Sequence, residues 1–497
     1  MNYYSTRDHQ HIVSAAQAIA CGLAPDGGLF VPEALPEVSA QQLQALCGMT
    51  YQQRAVTIMR PFLSEFTDAE LARFAAAAYG SQFDDPAVAP VHRLDDTTAF
   101  LELWHGPTCA FKDMALQILP YLLTASLKKC GEQRQVCILV ATSGDTGKAA
   151  LQGFADVPGT KILVFYPYSG VSEIQRLQMV TQTGDNVAVS AVRGNFDDAQ
   201  TGVKQIFGDK AFAAELSQRG WFLSSANSIN WGRLLPQIVY YFSAYCDAVT
   251  GGMIAMGDKL NFVVPTGNFG DILAGWYAKK LGLPVNKLIC ASNENKVLTD
   301  FFKTGKYDRR REFHLTSAPA MDILVSSNLE RLLFDVYDED APAVKNLMEQ
   351  LQNDGWYQIT AAAKAKLDSE FAAGYATQSQ VAGEIKYVYE TSGYLIDPHT
   401  AVGSFVARSY QKETGDQTPM IIVSTASPYK FPETVYHALT GRDTDQQGMP
   451  AIKQLHDLVG GELTAGVKEL FDHQPRKESL VVPDEMEKLI AEVLELK

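Results

Sequence analysis

The stretch Val136-Cys137-Ile138-Leu139-Val140-Ala141-Thr142-Ser143-Gly144-Asp145-Thr146-Gly147-Lys148 decides the fold class. Its first part is a continuous apolar run, which is typical of a strand that is buried on both faces. Two glycines then mark a turn, and a helix is predicted to begin near Gly147. A buried strand that leads through a glycine turn into a helix is half of a parallel α/β unit. Ligands of such sheets bind in the loops that follow the strands.

The same alternation continues on both sides of this unit. Further strands are predicted at residues 100–104, 161–166, 186–192, 260–264 and 285–291. Helices are predicted at residues 112–129 and 172–181, and a further one follows the strand 260–264 and its glycine-rich loop and ends at residue 278. The polar region 335–380 and the amphipathic tail 483–497 are also predicted to be helical. Short buried strands that alternate with helices indicate an α/β fold with mostly parallel sheets flanked by helices.

The N-terminal part of the chain has a different pattern. Helices are predicted at residues 39–47 and 67–79, and Thr67 with Glu70 forms a capping-box pattern at the start of the second. Two prolines within residues 84–91 then interrupt the pattern. We therefore expect a domain boundary in that segment.

Composition and charge exclude several classes of function. The 497 residues are 46% apolar and 20% charged, which is ordinary for a globular protein of several domains. A formal net charge of −15 argues against binding to nucleic acid or to an anionic membrane surface. The longest apolar stretch, residues 234–256, is interrupted by Gln237 and Asp247, so it is predicted to be a buried helix and no membrane span is expected.

Cysteine usage indicates the compartment. The seven cysteines are irregularly spaced and form no Cys-x-x-Cys pair, which argues against a disulfide framework or a zinc site. The N-terminal residues 1–14 are polar and lack the pattern of a secretion signal. A reducing, cytoplasmic location is the simplest expectation, and no metal is expected.

One lysine stands where a predicted strand passes into a helix, in the stretch His105-Gly106-Pro107-Thr108-Cys109-Ala110-Phe111-Lys112-Asp113. The positive end of the helix dipole and the apolar neighbours of Lys112 both favour its neutral amine. A neutral, nucleophilic amine is what a Schiff-base lysine requires. The alternative is a surface lysine at a helix start, and for this motif taken alone the alternative is the commoner case.

Two glycine-rich loops follow predicted strands, at residues 142–148 and 265–271. Each places backbone amides at a helix N-terminus, an arrangement that binds anions. A nucleotide-binding P-loop is excluded at the first, because Thr142 stands where the motif needs glycine and Ala149 replaces its Ser/Thr. An ordinary turn between strand and helix remains the alternative for both loops.

A fourth cluster, Asn227-Ser228-Ile229-Asn230-Trp231-Gly232-Arg233, has polar side chains around a predicted helix start. The Arg233 guanidinium can make a bidentate contact with a phosphate or a carboxylate. The alternative is a helix cap beside a surface arginine, which is favoured unless the other loops converge on the same place.

Together these stretches resemble the threonine synthase family of pyridoxal-phosphate enzymes, in its longer bacterial and fungal type. The resembling stretches are residues 24–32, 111–113, 143–147, 227–233, 267–270, 321–331, 397–403 and 424–431. Each is weak alone, but their common order along the chain is specific. The resemblance implies fold type II, in which two lobes with mostly parallel sheets enclose the cofactor. It divides the chain into an N-terminal domain (1–92) and a catalytic region (93–497), with a small lobe of about 140–235 inserted in a large one.

The resemblance also implies roles for individual residues. Lys112 would bind pyridoxal 5'-phosphate covalently and later transfer protons, and Thr425 would hydrogen-bond the pyridine nitrogen. The cofactor phosphate would lie on the loop formed by Gly267, Asn268, Phe269 and Gly270. Substrate contacts would come from Ser143, Asp145, Thr146, Ser228, Asn230 and Arg233, of which the last three would hold a substrate phosphate. Lys148 is expected to be a solvated helix residue.

The implied reaction converts O-phospho-L-homoserine and water to L-threonine and phosphate by γ-elimination and β-addition. Two alternatives remain open: a serine or threonine dehydratase, which has no substrate phosphate to hold, and a cofactor-binding relative without turnover. The resemblance favours a monomer and leaves a dimer possible.

Overall fold

The computed structural model describes residues 1–142, 144–169, 171–476 and 478–496. The strands are β1 (Asn2–Ser5), β2 (Asp8–Ser14), β3 (Phe30–Pro32), β4 (Val91–Arg93), β5 (Thr98–Glu102), β6 (Gln135–Ala141), β7 (Thr160–Pro167), β8 (Val187–Val192), β9 (Trp221–Ser224), β10 (Leu260–Pro265), β11 (Val285–Ser292), β12 (Lys306–Asp308), β13 (Trp356–Gln358), β14 (Phe371–Tyr375), β15 (Met420–Ser424) and β16 (Ser479–Val481).

The helices are α1 (Ala15–Cys21), α2 (Ala40–Leu46), α3 (Tyr51–Met59), α4 (Asp68–Ala78), α5 (Asp113–Leu116), α6 (Leu119–Lys129), α7 (Asp145–Phe154), α8 (Glu173–Val180), α9 (Phe196–Gly208), α10 (Lys210–Gln218), α11 (Trp231–Thr250), α12 (Gly270–Lys280), α13 (Val297–Thr304), α14 (Leu329–Val336), α15 (Ala341–Asn353), α16 (Ala361–Glu370), α17 (Gln378–Ser392), α18 (Pro398–Thr414), α19 (Pro432–Thr440), α20 (Met449–Val459), α21 (Ala465–Asp472) and α22 (Met486–Val493). Short 3-10 turns lie at Arg60–Phe62, Pro319–Met321, Pro428–Lys430 and Pro483–Glu485.

The N-terminal region combines a small antiparallel sheet with four helices. The sheet has the order β2-β1-β3. Helices α1 to α4 all begin with capping boxes, in which a serine or threonine side chain and a residue three positions on satisfy backbone amides reciprocally. The predicted box of Thr67 and Glu70 is one of them, and it is confirmed.

The larger sheet has six strands in the order β14-β11-β10-β15-β5-β4, parallel except for β4. The predicted strands at 100–104, 260–264 and 285–291 are its β5, β10 and β11. The prediction that region 335–380 is helical is wrong at β13 and β14. Strand β14 is short and built from small and aromatic residues, so its pairing with β11 decides its structure.

The second sheet has five parallel strands in the order β16-β8-β7-β6-β9. It contains the stretch 136–141 as β6, with a helix, α7, directly after the glycine turn as predicted. Strand β16 comes from the C-terminal end of the chain and pairs with β8. The predicted amphipathic tail helix is α22, which begins at Met486 and packs against this sheet.

The predicted helix 112–129 is broken into α5 and α6, which corrects that prediction. Pro120 lies in the first turn of α6. A proline ring clashes with the preceding turn of a helix and has no backbone N–H to donate, so α5 and α6 do not form one continuous helix. The break brings the Leu116 carbonyl against Gly153, where an added Cβ would lie 2.1 Å from the oxygen. Helix α7 can approach α5 this closely only because residue 153 has no side chain.

Helix α11 packs against helices of both the N-terminal region and the rest of the chain. It is buried along most of its length and packs on α2 and α3 of the N-terminal region as well as on α5 and α12. Among the described residues, no helix is long and apolar enough to cross a membrane.

Candidate functional site

Lys112 lies where the loop after β5 enters α5, and the backbone beside it pairs with the loop after β15. The Phe111 amide donates to the Thr425 carbonyl at 2.8 Å, and the Ser427 amide donates to the Cys109 carbonyl at 3.0 Å. These bonds fix the backbone of Lys112 at the N-terminus of α5 and place buried Thr425 beside it.

The Lys112 amine lies in a partly apolar pocket that also holds charges of both signs. Its Nζ is 4.0 Å from Asp145 Oδ2 and 4.7 Å from the centre of the Phe111 ring. Burial lowers the pKa of Lys112 to about 8, because Asp145 counteracts the loss of solvent only in part while Arg233 and Lys430 add to the lowering. A neutral, nucleophilic amine is therefore accessible near neutral pH.

Asp145, in the first turn of α7, is buried and stays ionised. Burial alone would raise its pKa, but the ammonium groups of Lys430 and Lys112 hold the pKa well below its ordinary value. The Lys430 Nζ is 3.0 Å from Asp145 Oδ1, and the Gln175 side-chain amide donates to the same oxygen at 3.2 Å. The Asp145 Oδ2 atom is thus the one that faces Lys112.

In the glycine-rich loop before α7, a threonine of the loop itself binds the backbone amides. The Thr142 hydroxyl accepts hydrogen bonds from the amides of Gly144 and Gly147, each at 3.0 Å. The prediction that this loop is an anion cradle is therefore wrong for these two amides, which already have an acceptor. Thr146 lies half-buried in the first turn of α7, and Ser143 lies outside the described residues.

Lys148 is buried, which corrects the expectation of a solvated lysine. Its amine donates to the side-chain carbonyls of Gln182 and Gln152, and burial lowers its pKa to about 8. The sequence pattern missed this burial because helix α8 supplies the covering residues.

The loop before α12 has free amides. Within the described chain, none of the backbone amides of residues 267–270 donates a hydrogen bond. Its carbonyls are bound instead: Ser326 Oγ donates to the Gly267 carbonyl at 2.8 Å, and the amide nitrogen of Asn328 donates to the Asn268 carbonyl at 3.0 Å. Phe269 adopts a left-handed φ of 64°, which is strained for an aromatic residue and turns the loop into the helix.

In the cluster before α11, the Asn230 side chain is used in hydrogen bonds within the protein, whereas the Ser228 hydroxyl is available to a ligand. Asn230 caps the helix by accepting from the Gly232 amide at 2.8 Å, and its own amide donates to the Ile19 carbonyl at 2.9 Å. Ser228 is half-buried, and its hydroxyl makes only a long contact of 3.4 Å with Asn227.

Arg233 is a buried cation that has no carboxylate partner in the described part of the chain. Its side chain donates to the Ala226 carbonyl at 2.8 Å, and no carboxylate of the described residues lies within ion-pair distance. Only 5% of the residue is exposed, and burial lowers its pKa to about 10. A buried, uncompensated guanidinium is costly, so the arrangement fits an anionic ligand that compensates the charge.

Three contacts of the site were not predicted from the sequence. Lys430 belongs to the resembling stretch 424–431, but nothing in that stretch shows that it reaches Asp145. Ser326 and Asn328 belong to the stretch 321–331, and their hold on the loop before α12 depends on the tertiary fold.

Comparison with known proteins agrees with this geometry. The family model described as threonine synthase N terminus matches residues 2–79, that of pyridoxal-phosphate dependent enzymes matches residues 90–349, and that of the threonine synthase C-terminal part matches residues 400–489. The threonine synthase of Pseudomonas aeruginosa is 40% identical over 99% of this chain and 97% of its own.

The chain belongs to the threonine synthase family. Its fold is shared with the PLP-bound threonine synthase of Brucella melitensis, with a TM-score of 0.88 and 37% identity over 100% of this chain and 99% of that one. Human threonine synthase-like 1 is 42% identical over 87% of this chain, which spans only 58% of the length of that relative.

Pyridoxal phosphate is the cofactor of this threonine synthase family member, a fold type II enzyme. The residues present fit it. Four successive amides at the N-terminus of α12 have no acceptor among the described residues and suit a phosphate. A Cβ at Gly267 would lie 2.5 Å from the Ala320 carbonyl oxygen, so the loop depends on a glycine there. Lys112, with its lowered pKa, supplies the amine that a covalent link needs.

Proposed function

We propose that the protein is a threonine synthase that converts O-phospho-L-homoserine and water to L-threonine and phosphate. The observation that carries this proposal is Arg233, a buried guanidinium that lacks a carboxylate partner in the described chain and contributes to the pKa shift of Lys112. A dehydratase substrate has no phosphate to compensate this charge. The identity of 40% with a threonine synthase over nearly the whole chain supports the same choice.

Two sets of residues would hold the cofactor and the substrate. The loop Gly267, Asn268, Phe269 and Gly270 would hold the cofactor phosphate through its free amides, and Thr425 would meet the pyridine nitrogen. Arg233 and Ser228 would hold the substrate phosphate. Asn230, expected to contact the phosphate as well, has its side-chain oxygen and amide in use at Gly232 and Ile19, so it would instead position Arg233 through its cap on α11. The substrate carboxylate would lie at the start of α7, near Ser143 and Thr146.

The protons would be moved by Lys112. Bound pyridoxal phosphate supplies the electron sink that makes the protons next to the amino-bearing carbon of a substrate labile. The Lys112 Nζ would take the Cα proton, and loss of a Cβ proton would then supply the electron pair that expels phosphate from Cγ. A proton would return at Cγ from Lys112, water would add at Cβ, and Cα would be reprotonated. A pKa of about 8 suits an amine that must both accept and donate near neutral pH. Arg233 and Ser228 would stabilise the charge that develops on the departing phosphate.

We further propose the division of the chain into an N-terminal domain (1–92) and a catalytic region, and a cytoplasmic monomer. Free thiols at all seven cysteines support a reducing compartment. Light scattering of the purified protein tests the monomer, and a mass of twice 54.5 kDa would replace it with a dimer.

The decisive experiment measures phosphate release and threonine formation from O-phospho-L-homoserine, with L-serine and L-threonine as competing substrates. We expect Arg233→Ala to lower kcat/KM for O-phospho-L-homoserine by about thirtyfold or more, because truncating one partner of a buried charge pair costs about 2–5 kcal/mol. Turnover of L-serine should fall far less, because that substrate has no phosphate and loses only the effect of Arg233 on the pKa of Lys112.

Arg134→Ala is the matched control, because Arg134 is partly exposed and pairs with Glu132 on the surface. A wild-type enzyme that deaminates serine but makes no threonine from O-phospho-L-homoserine would establish the dehydratase instead. A protein that binds the cofactor and turns over neither substrate would establish the relative without activity.

A further inference from the structure

Lys430 is an ammonium group enclosed completely by the protein. Its residue is 0% exposed, and its Nζ contacts three oxygens: the Thr108 carbonyl at 2.8 Å, Gln178 Oε1 at 2.9 Å and Asp145 Oδ1 at 3.0 Å. An ammonium has three donors, so these contacts use all of them. The group is therefore immobile and has no donor left for a ligand.

Asp145 is consequently bound at one oxygen and open at the other. Lys430 and Gln175 both contact Oδ1, while Oδ2 lies 4.0 Å from the Lys112 amine. The three groups form a row with charges positive, negative and positive. Within such a row the Asp145 carboxylate can compensate the charge of either amine. The fixed amine of Lys430 therefore competes with the mobile amine of Lys112 for this carboxylate.

We propose that Lys430 is a positioning residue that holds Asp145 ionised and turned toward Lys112, and that it thereby sets the reactivity of the Lys112 amine. The inference rests on the proposed role of Lys112. Without Lys430, the Asp145 carboxylate would be compensated by Lys112 alone and would stabilise its protonated form. With Lys430 in place, the carboxylate is already neutralised, and Lys112 can lose its proton nearer to neutral pH.

Other charged groups face the same row and are unchanged by the test. Asp113 and Arg233 act on Lys112, and Lys112 in turn acts on Asp271. His399 faces Asp145, while Cys109 and Lys148 lie near Lys430. Among the residues that the structure describes, only Lys430 lies within ion-pair distance of Asp145 on the side away from Lys112.

The test measures Lys112 directly in the full-length chain after removal of the cofactor. Acetylation of Lys112 by acetic anhydride is followed by mass spectrometry across pH in the wild type, Asp145→Asn, Lys430→Met and the double variant. The second measurement is the rate at which added pyridoxal phosphate becomes attached to Lys112 at each pH, followed by absorbance. Neither readout requires turnover.

We expect Asp145→Asn to lower the midpoint pH of Lys112 acetylation by about one unit, because the amine loses its anion and keeps the Lys430 charge nearby. Lys430→Met alone should raise the midpoint above the wild-type value. Adding Lys430→Met to the Asp145→Asn variant should raise the midpoint much less, because Lys430 acts through the Asp145 carboxylate. Lys430→Gln, which removes the charge and keeps a polar side chain, is measured as well, so that the comparison holds even if Lys430→Met alone does not fold.

Lys148→Met is the matched control, since it removes another buried ammonium, which lies in the helix that carries Asp145 and has Gln182 and Gln152 as its partners. Its midpoint should equal that of the wild type. A rise of the midpoint on loss of Lys430 that is as large in the Asp145→Asn background as in the wild type would overturn the role of Lys430, and so would Lys430 variants with the wild-type midpoint. Midpoints that shift as expected in an enzyme that makes no threonine would instead overturn the proposed function and leave the inference standing.

Discussion

Two loops of the same sequence type lie at the two sheets, and they differ in what their amides bind. The loop at residues 142–147 follows β6 and the loop at 265–270 follows β10; both are rich in glycine and both enter a helix. In the first, Thr142 occupies the amides of Gly144 and Gly147. In the second, the amides of residues 267–270 have no acceptor among the described residues, and outside residues bind its carbonyls instead. The first loop can thus present a side chain, Asp145, while the second can present its backbone.

The comparison teaches that a glycine-rich turn before a helix is not by itself an anion site. What decides is whether a neighbouring hydroxyl already satisfies the amides. The threonine two positions before Gly144 does so here, whereas the hydroxyl of Thr266 donates back to the Val264 carbonyl and leaves the second loop open.

The largest expected effect is at Lys112. Its amine faces Asp145 of the first loop and would bind the cofactor whose phosphate the second loop holds. Lys112→Ala should lose at least about a thousandfold in threonine formation, because the amine would serve as general base and acid. Borohydride treatment followed by mass measurement should show no covalent cofactor. Lys148→Ala is the control and should keep the covalent link. A Lys112→Ala protein that retains both link and activity would refute the assignment.

The next largest effect is on cofactor affinity, which should depend on the second loop and not on the first. Gly267→Ala should weaken pyridoxal phosphate binding by roughly tenfold to a hundredfold, because the new methyl lies 2.5 Å from the Ala320 carbonyl and overpacking costs about 1–3 kcal/mol. Equilibrium binding followed by absorbance measures it. Gly383→Ala has open space around it and should bind the cofactor as the wild type does. Unchanged affinity in Gly267→Ala would move the phosphate site elsewhere.

Thr142→Val should affect stability and spare the cofactor. The substitution removes the acceptor of two amides, so the free energy of unfolding should fall by about 2 kcal/mol. Urea denaturation measures the fall, and the dissociation constant of pyridoxal phosphate should not change. If the constant rises as much as it does in Gly267→Ala, the division of labour between the loops is wrong.

The smallest effect tests the outside support of the second loop. Ser326→Ala removes the 2.8 Å hydrogen bond to the Gly267 carbonyl, which is worth about 1 kcal/mol. Cofactor affinity should therefore weaken by roughly fivefold. Ser64→Ala, at a hydroxyl that contacts only the N-terminal amine, should leave the affinity unchanged. A loss in Ser326→Ala as large as that in Gly267→Ala would show that the serine contacts the cofactor itself.

The sequence predicted the features that depend on local patterns. Apolar runs located β6 and β10, and Thr67 with Glu70 located the start of α4. Pro120 carried a signal for the break after α5 that the periodic pattern concealed. Strand β14 escaped prediction because its pairing with β11, and not its composition, determines it.

The charges around Lys112 illustrate the same limit within the site. The position of Lys112 and Asp145 on consecutive strand–helix loops follows from the parallel fold, and the stretches around them were recognisable. That Lys430 reaches Asp145, and that Lys148 is buried, depends on segments far apart in the chain. Patterns in one sequence carry no information on such contacts.

The strand β16 has a consequence for the folding of the chain. It pairs with β8 and completes the five-stranded sheet, although 289 residues separate Ser190 from Ser479. Until these distant segments meet, the edge of β8 is open to pairing with other chains, a hazard for any exposed strand. The sheet that carries Asp145 thus reaches its final form only through a pairing of high sequence separation, and a chain truncated before Ser479 should be prone to aggregate.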